Sequence, residues 1–176
     1  MQRFVCCVLT VFMYMGLMIP TICAEGGGPP AGTVRALAID PSTPSTLDAG
    51  TFWGGVFKST DGGTSWTNIS GPTTPYVYGL SVNALAIDPF TPDTLFAGTD
   101  GRVFRSTNGG TSWAAVARIT ARAFVYAPAI DPSTPATVYA GTVGKGVFKS
   151  TDGGGSWHPT GANYADGTPP ESPPSP

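Results

Sequence analysis

Residues 59–66 read STDGGTSW, and nearly the same eight letters return as STNGGTSW at 106–113 and as STDGGGSW at 150–157. The copies start 47 and then 44 residues apart. A catalytic site is usually built once per domain, whereas a motif that recurs every roughly 20–50 residues marks a repeated structural unit. Each copy is therefore read as architecture first and chemistry second.

Around every copy lie four short apolar segments bounded by turn residues, the signature of strands. The first unit contributes VRALAI (34–39), STLDAGT (45–51), GVFKST (55–60) and SWTNIS (65–70). The second repeats them as VNALAI, DTLFAGT, RVFRST and SWAAV, and the third as VYAPAI, ATVYAGT, GVFKST and SWHPT. Four short strands in about 45 residues fit one blade of a β-propeller, a four-stranded antiparallel sheet. The expected fold is all-β: a partial β-propeller of three four-stranded antiparallel blades forming an open arc. Blade 1 is expected over 33–71, blade 2 over 72–117 and blade 3 over 118–161. A flexible segment at 25–32 precedes them, and the Pro-rich stretch 162–176 is expected to be a disordered tail.

Turn chemistry accounts for the repeated octamer. After the third strand the chain must reverse, and an acidic or amide side chain followed by glycines supplies both an acceptor for backbone N–H groups and freedom at positive φ. Asp61, Asn108 and Asp152 brace the turn, with Gly63, Gly110 and Gly154 inside it. The hydroxyls of Ser59, Ser106 and Ser150 bond across it, and Trp66, Trp113 and Trp157 fold back to bury a ring. These stretches resemble the Asp-box, or bacterial neuraminidase repeat, of the form S-x-D-x-G-x-[ST]-W. That resemblance implies a propeller of the kind found in sialidases, xyloglucan-active endoglucanases, sortilin-type receptors and the photosystem II stability factor. It implies no single activity, since those proteins share the box and not a reaction. A second repeated element, Ile-Asp-Pro at Asp40, Asp88 and Asp131, reads as a turn initiator between the first two strands. Lys58, Arg105 and Lys149 alternate with Phe57, Phe104 and Phe148, so their aliphatic stems are expected to cover sheet with the charges at its edge.

Composition narrows the function classes. Residues 1–24, with one Arg, an apolar run over 4–19 and Ala24 before Glu25, resemble a secretory signal peptide. The protein is accordingly expected to be secreted or periplasmic, with no membrane span in the mature chain. All three cysteines and all four methionines fall within this leader, and the sole histidine is His158. No disulfide, metal or other cofactor is expected, and a hydrolase with a His base is disfavoured. Without Arg3 the chain carries eight basic against 11 acidic side chains, which excludes nucleic acid as a main partner. Charged residues are 11% of the chain, against roughly 25% in an average soluble protein, while 24 glycines and 18 prolines fit many short strands and tight turns.

A sialidase would need a Tyr–Glu nucleophile pair, and the only glutamates, Glu25 and Glu171, lie in the flanks. The expected function is a non-catalytic binding or scaffolding module for carbohydrate or protein; the alternative is a fragment of a propeller glycoside hydrolase, sialidase-like or xyloglucanase-like. The candidate ligand face is the side opposite the boxes, where the loops differ from blade to blade. It carries Trp53, Tyr76 and Tyr78 for stacking and Asp100, Arg102, Arg118, Arg122 and Lys145 for polar contacts. An arc of three blades leaves two open sides, which propellers of about four to eight blades do not have. Self-association, two arcs making one six-bladed ring, is the expected remedy. Against it stands Asp48, a polar residue where the later blades have Phe96 and Tyr139; it reads either as the polar outer face of a genuine end or as drift in a truncated gene.

Overall fold

The computed structural model of the chain describes residues 28–70, 80–117 and 124–161. The expected leader (1–24) and Pro-rich tail (162–176) lie outside the described residues, as do Tyr76, Tyr78, Arg118 and Arg122. The described chain forms three four-stranded antiparallel sheets that do not close into a ring, a partial β-propeller. Blade 1 consists of β1 (Val34–Ile39), β2 (Leu47–Thr51), β3 (Gly55–Ser59) and β4 (Thr67–Asn68). Blade 2 holds β5 (Val82–Ile87), β6 (Leu95–Thr99), β7 (Val103–Ser106) and β8 (Ala114–Ala117). Blade 3 holds β9 (Val125–Ile130), β10 (Val138–Thr142), β11 (Gly146–Ser150) and β12 (His158–Pro159). Strands follow chain order across each sheet, as short turns between neighbours require. The first strands lie innermost, β1 against β5 and β5 against β9.

Side chains alternate between the two faces of each sheet, so each blade has one face toward the blade before it and one toward the blade after. Between blades 1 and 2 the core contains Val56, Val82, Leu95, Ala97, Phe104 and Trp113, with Ile69, Leu85 and Ile87 packed beside them. Between blades 2 and 3 it contains Phe96, Val103, Val125, Val138 and Ala140, joined by Ile130, Val116 and Trp157. Gly50 and Gly98 let the blades approach closely: a methyl at Gly50 would lie 2.6 Å from Val82 Cγ1, and one at Gly98 would lie 2.8 Å from the Val125 carbonyl oxygen.

The octamers form the turns after β3, β7 and β11. Ser59 Oγ accepts from the Gly63 amide at 2.8 Å and donates to Asp61 Oδ1 at 2.8 Å, and Asp61 accepts from the Ser65 amide (2.9 Å) and hydroxyl (2.6 Å). Asp152 repeats this with Ser156 and Ser150. Asn108 keeps the pattern with the final bond reversed, its Nδ2 donating to Ser112 Oγ at 2.9 Å. The first two glycines in each box have φ between 65° and 94°, a conformation that only glycine adopts freely. Asp40, Asp88 and Asp131 each cap their turn by accepting two backbone amides. The two turn types adjoin, because Gly62, Gly109 and Gly153 donate to the carbonyls of Ser45, Asp93 and Ala136.

Two expectations need correction. Asp48 does not mark an outer face: it lies on the strand face that Gly50 presents to Val82, toward blade 2, and is 1% exposed. Its carboxylate is paired with Lys58 Nζ at 3.2 Å. Lys58 therefore turns inward and does not carry its charge to the sheet edge. Burial, the larger influence, raises the Asp48 pKa above the ordinary carboxylate value, while Lys58 pulls it down. The reason for both corrections is register. Asp48 and Lys58 face one another across β2 and β3, and an isolated buried charge would be costly to leave unpaired.

Candidate functional site

Every inner strand carries the same irregularity. Val34 pairs with Thr51 and Ala36 with Gly50, leaving Arg35 as an extra residue; Asn83 in blade 2 and Tyr126 in blade 3 are bulged in the same way. A bulge bends its strand and re-aims one side chain, and such bulges concentrate beside functional sites. All three lie at the end of the blades away from the boxes, next to the turns between second and third strands.

These residues are linked from blade to blade. Arg35 Nη1 donates to Asn83 Oδ1 at 2.7 Å, and Asn83 Nδ2 donates to Asp100 Oδ1 at 2.8 Å. Asp100 is bridged through its backbone to Phe124, whose ring lies 6.2 Å from that of Tyr126. In the other direction the Arg35 guanidinium sits 4.1 Å over the Phe52 ring, and Phe52 meets Trp53 edge to face at 5.6 Å. A strip thus crosses all three blades, with a pair of rings at each end and polar groups between them, Asn83 being buried beneath. Trp53, Tyr126 and Phe124 are 64%, 51% and 43% exposed.

Trp53 has a φ of 65°, the only described non-glycine residue with positive φ. In the corresponding turn of blade 3 the position is Gly144, with φ 72°. For a bulky residue this conformation is a true outlier, and such strain clusters where a side chain is held for use. The turn displays the largest side chain at the residue where a glycine would cost least.

Of the candidate face, Trp53 and Asp100 are joined through Phe52, Arg35 and Asn83. Arg102 and Lys145 occupy the equivalent turns of blades 2 and 3 and are half-buried. Arg35, Asn83 and Tyr126 were not singled out as ligand residues from the sequence. Their signal was present: in the repeated Val-x-Ala that opens each inner strand, they are the one position that changes.

The box carboxylates are fully committed as acceptors. Bonds from the Ser65 hydroxyl and amide, and from Ser59, pull the Asp61 pKa down to about 2. The Ser156 amide and hydroxyl hold Asp152 lower still. Groups so strongly held as anions are poor proton donors at neutral pH.

No protein-family model and no curated protein matches the chain. Among solved structures it is similar to an ancestral GH74 enzyme, with 30% identity and a TM-score of 0.61 over 73% of this chain and 18% of that one. It is similar to the GH74 enzyme of Niastella koreensis at 28% identity, TM-score 0.57, covering 72% of this chain and 22% of that one. YCF48 from Cyanidioschyzon merolae shares the fold at 16% identity, TM-score 0.59, covering 76% of this chain and 42% of that one. The chain thus spans about a fifth of the length of the GH74 enzymes it resembles.

Proposed function

We propose that this chain is a non-catalytic binding module, active outside the cytoplasm, that takes a carbohydrate chain on the strip opposite its boxes. The observation that carries the reading is Trp53, strained and 64% exposed beside the Arg35–Asn83–Asp100 relay. Sugar rings present apolar C–H faces that stack on aromatic rings, and hydroxyls that match carboxylate and guanidinium groups, here Asp100 and Arg35 held in place by the buried Asn83. A strip of rings spaced by such groups suits an extended oligosaccharide. The location outside the cytoplasm rests on the leader-like residues 1–24.

The test uses Trp53→Gly, which removes the ring and copies the Gly144 turn, so backbone strain cannot confound it. A glycan array including xyloglucan oligosaccharides is probed with the full chain and the variant. Binding by the wild type and its loss in a variant of equal or higher thermal midpoint is expected. Equal binding by the variant overturns the site; absence of any glycan binding by the wild type overturns the carbohydrate reading in favour of a protein ligand.

The 28–30% identity to GH74 enzymes favours a second reading, a fragment of a propeller glycoside hydrolase. Two-carboxylate hydrolysis needs paired acids across a cleft. Among the described residues Asp100 is the one carboxylate on this side, the turn aspartates and Asp48 being engaged elsewhere. Release of reducing ends from xyloglucan by the chain, abolished in Asp100→Asn, would move the assignment to that reading.

A further inference from the structure

The two interfaces inside the chain are made from the same parts. The valine that opens an inner strand, Val82 or Val125, seats against a glycine of the preceding blade, Gly50 or Gly98. Val56 and Val103, each opposite or next to that glycine across the ladder, close the seat. All four valines are fully buried.

At the two ends of the arc the halves of this contact are present and, among the described residues, unmatched. Blade 1 has the knob: Val34, at the Val82 position, is 45% exposed, with Leu37 and Ile39 beside it at 58% and 55%. Ala49 and Phe57 on the same face are already buried, which confines the opening to the inner strand. Blade 3 has the hole: a methyl at Gly141 would meet only Ala127 of its own sheet, and Val147, paired with Gly141, is 43% exposed where its counterparts are 0%.

We infer that a second copy of this chain covers these surfaces, with Val34 of each copy seated over Gly141 and Val147 of the other. The occupant is a second copy because the chain makes the inner-strand part of this junction with itself twice, and that part is what both ends expose. Knob and hole lie on opposite ends of the arc, so the contact is head-to-tail, and two copies that use both ends close a ring of six blades about a two-fold axis. Asp48 raises no objection, since it faces blade 2. Closure would also bring the Trp53 end of one strip beside the Tyr126 end of the other. The inference is independent of the ligand.

Sedimentation equilibrium of the full chain tests it. Twice the chain mass of 18.0 kDa is expected. V34D and V147K, at exposed positions of the single arc, should each reduce the mass to one copy without changing the circular dichroism spectrum. The double variant V34D/V147K should recover the two-copy species in part, because each junction then pairs opposite charges. A wild-type chain of single mass at its highest soluble concentration, or a two-copy mass that survives both single substitutions, would overturn the inference.

Discussion

The junction between blades 1 and 2 and the junction between blades 2 and 3 share a plan and differ in their filling. At the second, Phe96 is 1% exposed and reaches over the box turn of blade 3, where a methyl at Gly154 would lie 3.0 Å from its Cε1. Arg105 lies across the same ring at 5.9 Å. At the first, the Phe96 position is Asp48, held by Lys58, and Ile69 fills the seat over Gly110. The equivalent of Ile69 at the second junction is the smaller Val116, 3.4 Å from the same Gly154 site. A lost ring in one strand is thus replaced by the Asp48–Lys58 pair together with an added methylene in another. A blade interface here specifies filled volume and paired charge, and leaves open which strand supplies either.

The box tryptophans follow the same logic. Trp66 and Trp157 donate to the carbonyl of a glycine in their own turn, Gly63 and Gly154. Trp113 instead donates to Ile69 O of blade 1 at 2.8 Å and is 3% exposed. Trp113→Ala is accordingly expected to have the largest effect, a loss of about 3–5 kcal/mol from removal of a buried aromatic. Trp66→Ala should cost clearly less, and denaturant midpoints of the two variants, side by side, check the ranking.

Next in size is a rebuilding of the first junction as the second. Asp48→Phe alone should overpack against Ile69 and leave the half-buried Lys58 without its carboxylate, destabilising by about 2–3 kcal/mol. Adding Ile69→Val should recover the overpacking part of that loss, since the pair then matches Phe96 and Val116. A double variant no more stable than the single one would mean that the two junctions are not equivalent in volume.

The smallest effects belong to the acidic and amide positions of the boxes. Asp61 is expected to titrate near pH 2 when folded and near the ordinary carboxylate value of 3.8 when unfolded. The folded chain therefore binds fewer protons at this site than the unfolded chain, and the stabilisation is complete above about pH 4 and lost as pH falls toward 2. Asp61→Asn should lower the thermal midpoint slightly at neutral pH and not at pH 2. Asn108→Asp should be neutral or mildly stabilising at neutral pH and should add acid sensitivity to the middle box. A midpoint for Asp61→Asn that falls equally at both pH values would separate the box from its charge.

Much of the fold was legible because the determinants are local. A Ser, an Asp or Asn, two glycines and a Trp within eight residues satisfy one another's hydrogen bonds in a single turn, and Asp40, Asp88 and Asp131 bond amides two and three residues ahead. Such short-range chemistry repeats wherever the letters repeat, so the strands and the three-blade count follow from the sequence. The candidate face was legible in part: its loops stood out because they break the repeat, and Trp53 and Asp100 among them. What the tertiary structure alone decided is the direction in which residues point and what they meet. One bulge in each inner strand turns Arg35, Asn83 and Tyr126 onto the strip, and a one-residue change of register is not visible in a Val-x-Ala triplet. Asp48 read as an outer residue because strand alternation tells two faces apart without saying which neighbour each addresses. That choice depends on Val82 seating at Gly50 and Trp113 reaching Ile69, contacts between residues more than thirty positions apart that only the packed arc brings together.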